Sequence, residues 1–360
     1  MSTKKICIIC GTALVLILAL LSWNWLRDNK LPNFSKSSEI YVRPGDTPEE
    51  VISLIQDKCG IVNIKSLRRS FEAKEVSRHL KPGHYWINHS NSSVYVARML
   101  NNGWQAPVKL TLAGNLRVKS NIAAKIANQL LIDSATVAKA LSDNELLGKY
   151  GFSSKTAFSL LVPDTYDIYW TAPVEEILDK QKAALDAFWT EENIAKARKI
   201  GLSRQEVSTL ASIVSAETHY EPEMPLVAGV YLNRLKLGIP LQADPTVAFC
   251  YDYKINRVLN KHLETDSPYN TYKHSGLPPG PICVPARECL QAVLDADFGA
   301  GDGPGAGKAG AGGNIYFCAS PEFNGTHRFA KTLSEHNANA NAYRSELNRR
   351  AAAKKKQNNG

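Results

Sequence analysis

Apolar residues are spread unevenly along the chain, and the first block is the densest. Ile6 to Leu26 is an unbroken run of 21 apolar or weakly polar residues; as a helix it reaches roughly 31 Å, the thickness of a bilayer core. Beyond it the pattern shortens and alternates. In "IYVRPGDTPEEVISLIQDKCGIV" a short apolar strand meets a Pro44-Gly45 turn and then a helix start. Thr47 is placed to cap, Pro48 takes the first helical position, Glu50 completes a capping box, and Gly60 ends the helix. A strand at "HYWI", a helix over Val94 to Leu100 closed by Gly103, and the alternation of Val108, Leu110 and Leu112 predict a small α+β module over 39–113.

From Gly114 the period turns helical, through "NIAAKIANQLLI", "VAKALSDNELL" and "VEEILDKQKAALDAFW". A helix signalled by a capping box at Ser203 and Glu206 carries its apolar face through Leu210, Ile213 and Val214, and Glu217 falls on that same face near the C-terminal end. A second helix runs from Pro225 to Gly238, followed by an extended piece with Gln242 and Asp244 and another helical start. The expected fold class is therefore α+β: an N-terminal transmembrane helix over 6–26, a linker over 27–38, the small module, an α-rich domain with short strands over 114–345, and a basic tail over 346–360.

Charge and cysteine content narrow the function classes. Of the net +9, residues 341–360 carry six Lys or Arg against Glu346, and residues 1–30 carry four against Asp28, leaving +1 for the rest. A nearly neutral body excludes a DNA footprint, and the tail reads as a solvated, frayed end. Lys4 and Lys5 before the apolar run place residues 1–5 in the cytoplasm and the remainder outside. No small-x-small cleavage site follows the run, which favours a retained anchor over a signal peptide. Cys7 and Cys10 lie in that run; Cys59, Cys250, Cys283, Cys289 and Cys318 lie outside it, an odd number with no CxxC, so buried free thiols are expected. The Gly305, Gly307, Gly310 pattern has no preceding strand and no Walker Ser or Thr, so it reads as a surface loop. No G-x-S-x-G elbow is present, and His327 and His336 have no zinc-ligand spacing toward His219 or Cys318.

The candidate chemistry centres on Glu217. Burial beside apolar groups and the negative end of a helix both disfavour its ionisation, as a general acid requires. The alternative is a structural carboxylate bonded to Thr218, His219 or a backbone amide. Downstream, Gln242, Tyr269, Asn270, Thr271 and Tyr272 supply the flat rings and amides that bind sugars, and His327, Thr332 and His336 stand in "THRFAKTLSEHN".

At these motifs the sequence resembles a known family, the endolytic murein transglycosylases of the YceG-like type. The likeness runs in order through the apolar segment, "PGDT", "LVPDTYDIYW", "ASIVSAET", "GVYLNRLKLGIPLQADPTV", "SPYNTYKHSGLPPGPI" and "THRFAKTLSEHN". The strand, turn and helix at "PGDT" are also similar to the opening of LysM-type glycan-binding modules. The family resemblance implies cleavage of the MurNAc-β-1,4-GlcNAc bond without a metal or cofactor. It carries the catalytic role onto Glu217. From their own chemistry Gln242, Tyr269, Asn270, Thr271 and Tyr272 are expected to bind the substrate together with His327, Thr332 and His336, the histidines bracing the cleft, and Asp244 is expected to have a structural or substrate-orienting role. Many members have a second acid two places before the catalytic one; Ser215 stands there in this chain. The Gly-rich stretch before "NIYFCA" is an insertion relative to typical members. The implied partners are peptidoglycan strands, the cytoplasmic membrane and peptidoglycan synthases, with no nucleic acid, in a single-pass inner-membrane protein whose catalytic part is periplasmic. A muramidase pairing Glu217 with Asp244 and a non-enzymatic peptidoglycan scaffold are the rival readings.

Overall fold

The computed structural model describes residues 3–114, 116–299 and 313–358. The Gly-rich loop of 299–313, except its two end residues, and the glycine pattern within it lie outside the described residues. The chain divides into two compact units, one of Met1–Leu110, Gln129–Leu131 and Asp167–Ala172, the other of Thr111–Asn128, Ile132–Tyr166 and Pro173–Gly360. Both mix helices with short strands, the helices dominating. Among the described residues the strands form three two-stranded ribbons: Ser38–Val42 with Gly83–Ile87, Val108–Leu112 with Asp164–Ile168, and Tyr316–Ala319 with His327–Ala330.

In the first unit one helix spans Thr3–Asn29, and its stretch Ile8–Asn29 is long and apolar enough to cross a membrane. Leu14, Leu16, Leu18, Leu20 and Leu21 on it have no protein cover. The helix continues three residues past Leu26, because Asp28 in its last turn is held by the side chains of Ser66 and Arg69. The residues after it are not a free tether either: Asn33 and Phe34 are buried, and Phe34 bridges to Ile61.

The ribbon of this unit pairs Ile40 with Tyr85 and Val42 with Gly83 in antiparallel register. Period-two alternation turns Ile40, Val42, Tyr85 and Ile87 to one side, where Val51, Ile52 and Ile55 of helix Pro48–Cys59 and Leu67, Val96 and Leu100 close a core. Thr47 caps that helix and Glu50 bonds back to the Thr47 amide at 2.7 Å, as its spacing predicts. The Tyr85 hydroxyl, deep in the core, donates to the Lys81 carbonyl at 2.8 Å, so its own polar atom is satisfied.

The second unit is built around helix Arg204–Glu217, whose Val207, Leu210, Ala211, Ile213 and Val214 are fully buried. It packs against helices Met224–Leu237 and Arg287–Leu294. Gly229 lets helix Met224–Leu237 lie close against the backbone that follows Leu294: a Cβ there would lie 1.8 Å from the Asp297 carbonyl oxygen. The stretch "VAKALSDNELL" is two helices, Ser134–Ala140 and Asn144–Gly148, because Asp143 turns its carboxylate to cap the second. The basic tail is not a frayed end: helix Leu333–Asn358 runs through it. Glu346 pairs with Arg349 and Arg350, and the Arg350 guanidinium sits 4.3 Å from the centre of the Phe323 ring, which stacks on Tyr343.

Gly229→Ala should destabilise the second unit by about 2–3 kcal/mol, because backbone cannot yield to the new methyl as a flexible side chain would. Urea unfolding followed by amide exchange in residues 204–217 measures the loss.

Candidate active site

Glu217 is the last residue of its helix. Apolar residues bury the helix up to Val214, and the turn ends on Thr218, whose amide bonds back to Val214 at 3.1 Å. The Glu217 carboxylate accepts the Tyr231 hydroxyl at 2.7 Å. Burial pushes the Glu217 pKa from an ordinary 4.5 up to about 7; the Tyr231 bond pulls it down, and the Asp244 charge adds to the rise. Burial and the neighbouring Glu217 hold the Tyr231 phenol well above its usual range, so it stays a neutral donor.

Glu217 faces a cavity of about 400 Å³ that it lines with Tyr231, Arg234, Gln242, Asp244, Tyr272, Tyr316 and His336 among others. A larger cavity of about 540 Å³, with Phe188, Glu221, Met224 and Arg287 on its walls, shares no lining residue with it. Among the described residues no three His, Cys, Asp or Glu side chains gather as a metal site.

Helix Met224–Leu237 supplies two of the cavity groups. Tyr231 and Arg234, three residues apart, share one face. The buried Arg234 guanidinium has no carboxylate partner among the described residues. It donates through Nη1 to the Leu241 carbonyl at 2.7 Å and through Nη2 to Gln242 Oε1 at 3.1 Å, lies 5.4 Å from the Tyr316 ring centre, and leaves Nε without a partner. Gly238, in the left-handed region, ends the helix and lets the chain turn back past Arg234.

Gln242 has φ of +53°, a left-handed conformation that costs a non-glycine residue about 1–2 kcal/mol. Three bonds hold it there. Its amide donates to the Thr271 carbonyl at 3.0 Å, the next amide, Ala243, donates to Thr271 Oγ1 at 3.0 Å, and Arg234 binds the side chain. Asp244 follows at the start of helix Asp244–Cys250 and accepts the Tyr272 hydroxyl at 2.6 Å. Burial, with Asp244 beside it, raises the Tyr272 pKa.

Five of the ten expected site residues therefore line one cavity: Glu217, Gln242, Asp244, Tyr272 and His336. The other five, Tyr269, Asn270, Thr271, His327 and Thr332, are not among the residues that line it. Asn270 and Thr271 are fully buried. Asn270 Nδ2 is spent on the carbonyls of Leu263 and Thr265, both at 2.8 Å, and its Oδ1 takes the Tyr272 amide at 3.0 Å, so it aims Tyr272 rather than touching the cavity. Tyr269 packs on Phe249, ring centres 4.6 Å apart. His327 bonds Glu223 through Nδ1 at 3.0 Å. Thr332 caps helix Leu333–Asn358 by accepting the Glu335 amide at 3.2 Å, and so sets His336 one turn on. Burial, with Arg234 and Arg344 nearby, lowers the His336 pKa, and its ring stacks on Tyr316 with 5.2 Å between centres.

Sequence reasoning missed Tyr231, Arg234, Tyr316 and Phe317. An arginine inside an apolar helix, three places after a tyrosine, was a usable signal for the first two. Tyr316 and Phe317 lie in a short strand with no local mark of chemistry. Ser215 points elsewhere, since two residues turn an α-helix by about 200°; it lies beside the Cys283 and Cys289 thiols, whose pKa burial raises.

The YceG-like family profile matches residues 40–342. The chain belongs to the YceG-like family. Over 154 residues it is 37% identical to the endolytic murein transglycosylase of Bacillus subtilis (strain 168), a match covering 43% of this chain and 39% of that protein. Over 321 residues it is 26% identical to the endolytic murein transglycosylase of Streptococcus pneumoniae serotype 2 (strain D39), covering 78% of this chain and 58% of that protein. The chain thus spans 39–58% of the length of these curated relatives. The crystal structure of a yceG-like protein from Listeria monocytogenes is similar with a TM-score of 0.53 at 26% identity, covering 84% of this chain and 98% of that one.

The raised Glu217 pKa has a sign that stability measurements can read. A carboxyl whose pKa is about 7 when folded and 4.5 ordinarily contributes stability that is complete below the lower value and lost as pH climbs through about 7. Glu217→Gln carries no proton to lose. Its melting temperature relative to wild type should therefore rise between about pH 5 and about pH 8.5, a gain on the order of 2 kcal/mol.

Proposed function

We propose that the protein is a membrane-anchored, endolytic lytic transglycosylase that cleaves the MurNAc-β-1,4-GlcNAc bond within peptidoglycan strands and leaves 1,6-anhydroMurNAc ends. The observation that carries this reading is one carboxyl, Glu217, poised near neutrality at the wall of a polar cavity and held by a neutral phenol. Hydrolytic glycosidases generally use two carboxylates flanking the bond. A transglycosylase of this kind uses one. Glu217 donates its proton to the departing GlcNAc O4, and the carboxylate so formed takes the proton of the muramic C6 hydroxyl as that oxygen closes on C1. The acid returns to its starting state and no water is consumed. Gln242, Tyr272 and Tyr316 offer amide and aromatic faces to the saccharide, and a neutral His336 offers an imidazole edge.

Asp244 favours a second reading, because it lines the same cavity and its carboxylate is exposed. A muramidase would use it with Glu217 to deliver water. Asp244 is instead engaged by the Tyr272 hydroxyl, which suits orientation of that ring more than attack on a sugar.

The finer assignments belong to the same proposal. Residues 39–113 act as a LysM-like glycan-binding module, for which exposed Tyr41 and Trp86 on the first ribbon provide flat faces. Residues 114–345 form the catalytic domain. Helix Thr3–Asn29 is a single-pass anchor in the cytoplasmic membrane with the remainder periplasmic, where the enzyme meets nascent strands beside peptidoglycan synthases and ends their elongation.

Mass spectrometry of sacculi treated with the full-length protein in oxygen-18 water tests the reaction. Anhydro ends without label are expected; labelled reducing ends would establish the muramidase instead. Glu217→Gln should lower cleavage by at least about 100-fold, the usual worth of a positioned acid. Wild-type cleavage by Glu217→Gln would remove Glu217 from the chemistry, and no cleavage by the wild-type protein would leave the scaffold reading. Cleavage should fall as pH rises through about 7, and Tyr231→Phe, which removes the bond that lowers the Glu217 pKa, should move that alkaline limb upward by about half a unit or more.

A further inference from the structure

The foot of the apolar helix is fixed to the first unit by a polar network. Asp28 accepts Arg69 Nε at 3.0 Å and Nη2 at 2.7 Å, and the Ser66 hydroxyl at 2.6 Å. The Ser66 and Ser93 hydroxyls are 2.8 Å apart. Asn33 Nδ2 donates to Ser93 Oγ at 2.8 Å and to the Asn63 carbonyl at 3.0 Å, while the Asn63 amide returns to Asn33 Oδ1 at 2.8 Å. The bidentate arginine pair leaves the Asp28 side chain 13% exposed. The helix and the start of helix Ile64–Ala73 are thereby one rigid piece.

That rigidity sets a level. Trp23 and Trp25, both exposed, stand within about a turn and a half of Asp28, where aromatic side chains mark the edge of a bilayer. Whatever is pinned beside Asp28 is held at the height of the lipid headgroups. There the protein exposes Val62 by 61% and Ile64 by 39%, next to Lys65 and near Lys30. The Val62 amide bonds to the Asn33 carbonyl at 2.9 Å, which keeps Val62 at the helix exit. Neither lysine has a carboxylate partner among the described residues.

We propose that the segment Ile61–Lys65 is a footing on the membrane surface, in which Val62 and Ile64 enter the boundary of an anionic leaflet and Lys30 and Lys65 meet lipid phosphates. It rests on the reading of Ile8–Asn29 as a membrane span. The occupant follows from continuity: the patch adjoins the exit of an apolar helix, and its charge is opposite to that of an anionic surface. Because the span already tethers the patch to the bilayer, the contact is intramolecular in effect and two apolar side chains with two cations suffice.

Hydrogen exchange of the full chain, one copy per nanodisc, tests the footing. The amides of Ile64 and Lys65 belong to the first helical turn, which has no intrahelical acceptors, so they exchange quickly unless covered. In discs containing phosphatidylglycerol the 61–67 peptide should exchange at least about tenfold more slowly than in phosphatidylcholine discs. The triple variant Val62→Asn, Ile64→Asn, Lys65→Glu should lose the difference, with unchanged exchange in Ser38–Val42 showing that the fold is intact. Equal rates in the two lipids, with amides 12–22 protected in both, would overturn the footing and leave the span standing. Rapid exchange of 12–22 in both discs would overturn the span and the footing together.

Discussion

A carboxyl group at the end of a buried helix is the constraint on which the second unit depends. Water is withdrawn from Glu217 by its own helix and by Tyr231, and that withdrawal raises its pKa to about 7. A carboxylate in such a place without a donor would drive the helix end apart; a fully solvated one would be ionised and useless as an acid. The single phenol bond sits between these limits, offsetting part of the desolvation while leaving the proton within reach of neutral pH. Core packing serves this balance directly. Ile213 and Val214 fix the last turn, and helix Met224–Leu237 packs against it and delivers Tyr231, while Gly229 lets that same helix meet the Asp297 backbone.

The same cavity is held by a second unusual arrangement, a buried guanidinium without a carboxylate partner among the described residues. Neutral acceptors and an aromatic face satisfy most of Arg234, and its charge is thereby available to hold a strained residue. Gln242 stays left-handed because Arg234 takes its side chain while Thr271 takes its backbone. Backbone strain maintained by several independent bonds is characteristic of sites that present a side chain in a fixed direction. Asn270 and Thr271 contribute in the same way: both are fully buried, and their hydrogen bonds order Tyr272 and the turn at Gln242.

The first unit shows the same economy at the other end of the chain. Asp28 interrupts an apolar run at the point where it leaves the proposed bilayer, and it is matched by a bidentate arginine and a serine from a helix nearly forty residues later. The polar stretch that follows is occupied by packing and hydrogen bonds through Asn33 and Phe34. An apolar helix and a folded unit joined in this way move together, so the position of one is set by the other.

Much of the local architecture was legible in the sequence because it depends on neighbours. The capping boxes at Thr47 and Ser203, the stop at Gly238, the alternating strands and the placement of Glu217 on a buried face all follow from residues within one or two turns of each other. The division of "VAKALSDNELL" at Asp143 was written there too, in a residue type that prefers a cap to a helix interior. Family motifs in a fixed order pointed to the acid, and five of the ten expected site residues share its cavity. What the sequence by itself determined was which segments are helical, which are apolar, and which carboxyl would be awkward to bury. Only tertiary structure decided that Tyr231 meets Glu217, that Arg234 faces Tyr316 across 82 positions, and that Asn270 turns inward while Tyr272 reaches the cavity, since each is fixed by packing between elements whose separation along the chain carries no trace of their distance in space.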